Sequence, residues 1–254
     1  MTYTAYDGIN ARGALATSKD LKHFKKQGLI VPPITYAEFV YLVESAGNVN
    51  EKYSLNYKFY YKDVDPDGKI MLWDKNVVFF PRKIEGKLVF LHRIRPGIQI
   101  VSVNSLKELT KEFWIEYFHN LQDHIIMDPL YEHEASYIGA GCPPIETEHG
   151  WILIYHGVEE TENGLIYSAC AAALLDLNNP AKVIARLPEV LFTPELKWEL
   201  KGEVNNVVFP TGTALFGDTL FIYYGAADSR IACASLSLSA LVSELLKYSP
   251  KDEN

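Results

Sequence analysis

The chain has 254 residues, 48% of them apolar, a length that suits one all-β domain or two small ones. Its net charge of −8 and the lack of a basic run argue against a nucleic-acid partner, and no apolar stretch reaches the length of a membrane span. Aromatic residues make up 13% of the chain, a share that suits both β-strands and sites that stack on sugar rings.

The first eight residues, MTYTAYDG, lack the charged and apolar regions of a secretion signal, so a cytoplasmic location is expected. Within them, Asp7 follows the ring of Tyr6 and precedes Gly8, which permits an unusual turn. A carboxylate beside a ring can have its pKa raised by desolvation and act as a general acid. On the motif alone, an ordinary Asp-Gly turn is the better explanation.

Strands follow a recurring turn signal along the chain. KLVFLHRI, WILIYHGV and TLFIYYGAA each follow a polar-Gly or Gly-Asp pair, which is typical of β-hairpins. Comparable units, at 90–92, 154–156 and 223–225, recur at a spacing of about 65 residues. This repeat predicts propeller blades rather than a sandwich, because the inner strands of a propeller point toward one axis.

Two segments interrupt the strand pattern. Residues 34–72 are long and Tyr-rich and are predicted to be an insertion, and residues 105–130 are predicted to form an irregular or helical loop. The C-terminal LSLSALVSELLKYSP predicts a short amphipathic helix. Residues 1–254 are accordingly predicted to form a single domain of strands, with at most two or three short helices.

Cationic residues lie together in the hairpin KNVVFFPRKIEGKLVFLHR, which contains Lys75, Lys83, His92 and Arg93. Near a cleft they would bind an anion or sugar hydroxyls. The alternative is a solvated hairpin with one buried, hydrogen-bonded histidine.

Carboxylates flank the run GAGCPP, which is expected to be a rigid loop without strand content. Glu134 precedes this run and Glu146 follows it. The spacings of His133, His149 and His156 match no zinc signature, so no metal site is predicted. Three cysteines at wide spacings do not imply a disulfide framework.

Seven segments in order resemble glycoside hydrolase family 130: TYTAYDG, ALATSKDL, FPRKIEGKLVFLHR, IGAGCPPIETEHGWILIYHGV, ALLDLNNPAKVIARL, NNVVFPTG and IYYGAAD. The similarity runs from Thr2 to about Leu241, apart from the two irregular segments. The resemblance implies a five-bladed β-propeller that acts on β-linked mannosides with inversion at the anomeric carbon. Met1 falls where the family has an internal strand, so part of the N-terminal blade is expected to be missing from this chain.

By the same resemblance, Asp7 matches the proton donor, which in the phosphorylases is thought to act through a hydroxyl of the bound mannose, and Asp228 matches a carboxylate that holds sugar hydroxyls. The other pocket positions fall on Tyr6, Lys83, Arg93, His156 and Tyr167. The resemblance implies no cofactor. Inorganic phosphate is a co-substrate in the family's phosphorylases, whereas its hydrolases use water.

Two departures from the phosphorylase pattern concern phosphate. Lys75 stands where phosphorylases carry Arg, and Tyr137 stands where they carry Lys. Loss of the lysine charge weakens an anion site, because charge-assisted hydrogen bonds are stronger than neutral ones. Arg93 and His156 remain.

We therefore expect an inverting enzyme that hydrolyses β-mannosides, with Asp7 as the acid and Glu134 or Glu146 as the base. The first alternative is a phosphorylase that releases mannose 1-phosphate, and the second is a non-catalytic sugar-binding propeller. A manno-oligosaccharide is the expected partner in each case. The sequence does not determine the oligomeric state, and a homo-oligomer is one of the alternatives.

Overall fold

The computed structural model describes residues 1–47, 49–55, 57, 65, 68–161 and 164–249, with the backbone alone at 160–161 and 164–170. In this described part fifteen β-strands form four sheets, with helices outside them. The all-β class is thus confirmed, and the five-bladed propeller stays a prediction. The chain divides into two compact units, Met1–Val77 with Arg82–Ile125 and Val78–Pro81 with Ile126–Asn254.

The first unit begins with a three-stranded antiparallel sheet in the order β1-β2-β3, made of β1 (Thr2–Tyr6), β2 (Ala11–Ser18) and β3 (Phe24–Leu29). A second sheet, in the order β4-β5-β6-β7, is made of β4 (Lys75–Phe79), β5 (Leu88–Arg93), β6 (Ile98–Val103) and β7 (Ile125–Met127). Its two inner strands belong wholly to this unit. On β2, a Cβ at Gly13 would stand 2.6 Å from Cγ2 of Val77, so the close packing there requires glycine.

Helix α1 (Tyr36–Ala46) lies in the segment 34–72, which the sequence marked only as an insertion. It begins at a capping box, in which the Thr35 hydroxyl accepts the N–H of Glu38 and the Glu38 carboxylate accepts the N–H of Thr35. It ends at Gly47, whose φ of 70° is left-handed. Local capping chemistry therefore sets both ends of this helix.

The segment 105–130 is largely helical, which is one of the two alternatives that the sequence left open. It holds helices α2 (Lys111–His119) and α3 (Leu121–His124) before β7 begins. Phe118 of α2 packs edge-to-face against Phe39 of α1, with 5.0 Å between ring centroids. Both side chains are fully buried, so aromatic packing joins the two helices.

The second unit contains the two remaining sheets. One, in the order β12-β11-β10-β8 with β9 also pairing with β10, is made of β8 (Tyr137–Ala140), β9 (Ile145–Thr147), β10 (Gly150–Thr161), β11 (Gly164–Leu175) and β12 (Val183–Arg186). The other, in the order β13-β14-β15, is made of β13 (Val208–Phe216), β14 (Thr219–Ala226) and β15 (Arg230–Ser237). Gly139 and Ala140 lie on β8, so the expectation that the GAGCPP run has no strand content is wrong for its first two residues.

The short helix α4 (Lys197–Leu200) precedes β13. An apolar core unites these two sheets with helix α5 (Leu238–Leu246). The almost fully buried members of this core include Ile152, Ile154, Leu174, Leu220, Ile222 and Leu245. Burial of Leu241, Val242 and Leu245 confirms the predicted amphipathic C-terminal helix.

The three predicted turn-plus-strand units are β5, β10 and β14, and each is an inner strand of its sheet. The turn before β5 has positive φ at Glu85 and Gly86, and the turn before β14 has positive φ at Gly217, as hairpin turns require. The expected limit of two or three helices is wrong, because the described residues include the helices α1 to α5, each of four residues or more, and residues 51–55 are helical as well. None of the helices in the described part is long and apolar enough to cross a membrane.

Candidate active site

Asp7 lies in the exposed turn that follows β1. Its Oδ1 accepts the N–H groups of Ile9 and Asn10 at 3.0 and 2.7 Å, and its Oδ2 accepts the side-chain amide of Asn10 at 2.9 Å. The Asn10 side chain, and then the Asn10 and Ile9 amides, lower the pKa of Asp7 to about 2. The exposed, hydrogen-bonded carboxylate thus fits the ordinary Asp-Gly turn that the motif favoured, and desolvation does not raise its pKa above the usual value in the unliganded protein.

Tyr6 presents an aromatic surface beside this carboxylate. Its side chain is 66% exposed, and its hydroxyl donates to the carbonyl of Gly8 at 2.7 Å. The hydroxyl thus fixes the ring over the turn. An exposed ring beside an ionised carboxylate suits a neutral sugar, which offers C–H faces to the ring and hydroxyls to the acid.

Two residues that the sequence reasoning missed support this turn. The Asn10 side-chain oxygen accepts the N–H of Met71 at 3.0 Å, which ties the turn to the segment before β4. Arg12 donates to the carbonyl of Pro32 at 2.7 Å. Burial lowers the pKa of Arg12, and the charges of Asp74 and Asp7 act in the opposite direction. A half-buried cation thus lies within electrostatic range of Asp7.

The cationic residues of the β4-β5 hairpin differ in their surroundings. Lys83 is exposed, whereas Arg93 is only 4% exposed at the end of β5. The Lys75 ammonium lies 5.6 Å from the centroid of the Trp73 ring, a cation–π distance. Among these three candidates, Lys83 therefore has the most exposed charge.

His92 is a buried structural residue. Its Nδ1 lies 2.7 Å from Oδ2 of Asp74, and its Nε2 lies 2.8 Å from the hydroxyl of Tyr117. All three side chains are buried, and the Tyr117 hydroxyl also donates to the carbonyl of Ile100 at 3.0 Å. The hydrogen-bonded core histidine that the sequence allowed as an alternative is what the structure contains.

Glu134 is completely buried, and both carboxylate oxygens are engaged. Nη2 of Arg186 lies 2.7 Å from each of them, and the Tyr155 hydroxyl donates to Oε1 at 2.6 Å. The N–H groups of Leu130 and Tyr131 donate to Oε2 at 2.7 and 3.1 Å. A general base has to reach a water molecule, so the geometry is that of a structural carboxylate and does not support Glu134 as the base.

Glu146 is the accessible member of the pair of predicted bases. It lies on β9 opposite Trp151 and is exposed to solvent. His156 and Tyr137 are buried, and the His156 ring centroid lies 4.5 Å from that of Phe209. Access to solvent thus separates Glu146 from its neighbours in the same sheet.

Asp228 is exposed at the tip of the β14–β15 hairpin. The N–H of Ser229 donates to the carbonyl of Ala226 at 3.1 Å, which closes a four-residue turn. Its two central residues, Ala227 and Asp228, have φ values of 47° and 51°, the pattern of a type I′ turn and uncommon for residues other than glycine, asparagine and aspartate. The proximity of Asp228 to Asp7 stays a prediction.

Tyr167 lies on β11, where its backbone pairs with Val158 of β10. Its side chain is outside the described residues, so its place in the pocket stays a prediction. Among the side chains that the structure describes, no group of three or more His, Cys, Asp and Glu residues could hold a metal ion.

The chain is similar over nearly its whole length to one family of known proteins. The sequence model of glycoside hydrolase family 130, described as beta-1,4-mannooligosaccharide phosphorylase, matches residues 1–247. A 1,2-beta-oligomannan phosphorylase of a Thermoanaerobacter species is 41% identical over 167 residues, which are 65% of this chain and 51% of the relative. A beta-1,4-mannooligosaccharide phosphorylase of Ruminococcus albus is 35% identical over 205 residues, which are 78% of this chain and 57% of the relative.

Solved structures agree with these relatives. The beta-1,2-mannobiose phosphorylase of Listeria innocua, in complex with beta-1,2-mannobiose, superposes with a TM-score of 0.66 at 28% identity. The match covers 97% of this chain and 56% of that structure. The chain spans about half the length of the curated relatives it matches.

Proposed function

Because the chain belongs to glycoside hydrolase family 130, we propose that it acts on β-linked mannosides with inorganic phosphate as the second substrate and mannose 1-phosphate as a product. The observation that carries this proposal is the character of the curated relatives, which are mannoside phosphorylases. These relatives favour phosphorolysis, which the sequence left open as the alternative, and not hydrolysis by water. No cofactor enters the proposed reaction.

Asp7 is proposed to supply the proton that the departing sugar oxygen needs. With a pKa of about 2 the carboxylate is ionised in the unliganded protein, so the pKa has to rise when sugar binds. A sugar ring over Tyr6 would exclude water from the carboxylate, and desolvation raises the pKa of an acid. A mannose hydroxyl can then relay the proton between Asp7 and the leaving oxygen.

Asp228 and Tyr6 are proposed to hold the mannose ring. Asp228 offers two exposed acceptor oxygens for sugar hydroxyls, and Tyr6 offers a ring face for C–H contacts. Tyr6 ends β1 with its hydroxyl hydrogen-bonded to Gly8, and Asp228 lies in a tight turn, so the backbone at both residues is set before the substrate arrives.

Phosphate is proposed to bind at Lys83, Arg93 and His156. A phosphate dianion needs charge-assisted donors, and the arginine can donate two parallel hydrogen bonds. Tyr137, buried on β8, offers a neutral hydroxyl where phosphorylases carry lysine. The affinity for phosphate should therefore be lower than in a phosphorylase that carries the lysine.

Hydrolysis is the second candidate function, and Tyr137 is the observation that favours it. Attack by water with inversion needs a base on the face of the sugar opposite the acid, and Glu146 is the exposed candidate. If Glu146 serves in this way, the reaction proceeds without phosphate and releases free mannose.

One experiment separates the two functions. The protein is incubated with β-1,4-mannobiose or β-1,2-mannobiose, with and without inorganic phosphate, and the products are separated by chromatography. Phosphorolysis gives mannose 1-phosphate only when phosphate is present, whereas hydrolysis gives mannose in both samples. Binding of mannobiose without turnover in either sample would contradict both and favour a sugar-binding role.

A further inference from the structure

The turn that carries Asp228 has an unfavourable backbone conformation. Both of its central residues, Ala227 and Asp228, are left-handed, a region that residues with side chains avoid. Such conformations persist only where the surrounding structure enforces them, and they concentrate at ligand sites. The contacts that enforce this turn therefore bear on what Asp228 can do.

A loop at residues 202–207 lies against the turn. The Ala227 N–H donates to the carbonyl of Val207 at 2.9 Å, and the Val204 N–H donates to the carbonyl of Ala227 at 3.3 Å. At Gly202 a Cβ would stand 2.2 Å from the carbonyl oxygen of Ala227, so the approach is close enough to require glycine. The loop thus binds both polar groups of the Ala227 backbone.

Glu199 anchors this loop to β14. Its side chain is 2% exposed, and its Oε1 accepts the Tyr224 hydroxyl at 2.6 Å. Its Oε2 accepts the N–H groups of Glu195 and Leu196, each at 2.9 Å. Its carbonyl accepts the N–H of Val207 at 3.0 Å. One residue therefore connects the strand before the turn to the loop that holds the turn.

We propose that Glu199 is a positioning residue, which acts through Tyr224 and Val207 to fix the turn that presents Asp228 to the sugar. The proposal rests on the proposed role of Asp228 in holding mannoside hydroxyls. Glu199 is buried and has no access to the sugar, so it contributes to sugar affinity and not to the chemical step. A change that loosens the turn should raise KM for the mannoside and leave kcat unchanged.

The test uses Tyr224→Phe, which removes only the hydroxyl, and Glu199→Gln, which removes the charge. Kinetics give kcat, KM for the mannoside and KM for phosphate, and hydrogen exchange reports opening at the Ala227 amide. We expect about a tenfold rise in mannoside KM and in Ala227 exchange for each variant, from the loss of a hydrogen bond to a charged group. Neither kcat nor KM for phosphate should change. The double variant should lose less than the sum of the two single changes, because both changes alter the one contact between Tyr224 and Glu199.

Tyr155→Phe is the matched control, because it removes the equivalent hydroxyl from Glu134 in the neighbouring sheet. It should leave exchange at Ala227 unchanged. The proposal is overturned if Tyr224→Phe leaves both exchange at Ala227 and mannoside KM at the wild-type value, or if Tyr155→Phe accelerates that exchange equally.

Asp228→Asn separates this proposal from the proposed function. If Asp228→Asn leaves mannoside KM unchanged while Tyr224→Phe accelerates exchange at Ala227, the sugar-binding role of Asp228 fails and the positioning of the turn stands. If the wild-type protein cleaves no β-mannoside, the positioning of the turn is still tested, because the exchange measurement does not depend on activity.

Discussion

The hydroxyl of Tyr155 lies 2.6 Å from Oε1 of Glu134, where it completes the hydrogen bonding of a buried carboxylate. The next sheet repeats this arrangement with Tyr224 and Glu199, also at 2.6 Å. In both places the other carboxylate oxygen accepts the N–H groups three and four residues before the glutamate. The second unit therefore contains two copies of one local motif, in which a strand tyrosine holds the loop that leads into its sheet.

Replacement of Asp7 by Asn tests the proposed proton donor. Asparagine keeps the shape of the side chain but carries no transferable acid proton, so kcat should fall by about 10²–10⁴ while mannobiose binding is kept. Steady-state kinetics and calorimetric titration with mannobiose measure the two effects.

Asp20→Asn is the control for that change. Asp20 is also an exposed carboxylate that accepts backbone N–H groups, from Lys22 and His23 at 2.9 and 2.8 Å, and its pKa is lowered in the same way. It should keep normal activity. Near-normal turnover by Asp7→Asn would remove Asp7 from the reaction.

Replacement of Glu134 and Glu146 by Gln distinguishes a structural carboxylate from an accessible one. Glu134→Gln removes the buried anionic partner of the largely buried Arg186 guanidinium, so the free energy of unfolding should fall by about 3–5 kcal/mol. Glu146→Gln is exposed and should change that free energy by less than about 0.5 kcal/mol.

Urea unfolding measures both differences, and phosphate-free turnover of mannobiose is measured in parallel. If hydrolysis occurs, only Glu146→Gln should abolish it without loss of stability. An unchanged free energy of unfolding in Glu134→Gln would show that the hydrogen bonds around the Glu134 carboxylate contribute nothing to stability.

Local signals in the sequence were sufficient to predict the hairpins and the turn that carries Asp7. The turns before β5 and β14 were predicted from residue pairs that favour positive φ, and β10 was predicted by the same rule. The donors that lower the pKa of Asp7 lie within three residues of it, so its turn was also within reach of local reasoning. Helix α1 was missed although the Thr35 and Glu38 capping box was present, because the Tyr-rich segment favoured an irregular insertion.

Long-range contacts determine the parts of the site that the sequence did not predict. Glu134 was a candidate base because it flanks a loop, and its buried carboxylate is paired with Arg186, 52 residues later in the chain. Glu199 was missed because its partner Tyr224 is 25 residues away, and no pattern in a single sequence links the two. Composition and spacing identify which groups are able to act, but only packing decides which of them reach solvent.

The pH dependence of stability tests the contact between Glu199 and Tyr224. Burial raises the pKa of Glu199, but the hydrogen bonds from Tyr224 and from the amides of Leu196 and Glu195 outweigh it, and the pKa lies below the ordinary value of 4.5. A depressed folded-state pKa gives stability that is present above the unfolded pKa and is lost as the pH falls through the folded value.

The difference in unfolding free energy between wild type and Glu199→Gln should therefore be largest above about pH 5 and shrink below pH 4.5. Urea titrations at a series of pH values measure it. A difference that grows on acidification would mean that the folded state raises the pKa of Glu199.

Replacement of Tyr137 by Lys tests where phosphate binds. Tyr137 is buried, so a lysine there would be a buried charge, which is unfavourable without an anion beside it. If phosphate occupies that place, the anion supplies the missing partner, and it should raise the Tm of Tyr137→Lys more than that of wild type, because a ligand stabilises the folded state that binds it. The same variant should show a lower KM for phosphate in mannobiose cleavage.

Tyr137→Phe is the control, because it keeps the ring and adds no charge, and its Tm should respond to phosphate as wild type does. Thermal unfolding in equal concentrations of phosphate and chloride measures the shift, at matched ionic strength so that screening is the same. A Tyr137→Lys variant that is destabilised equally in both salts would place the phosphate away from β8.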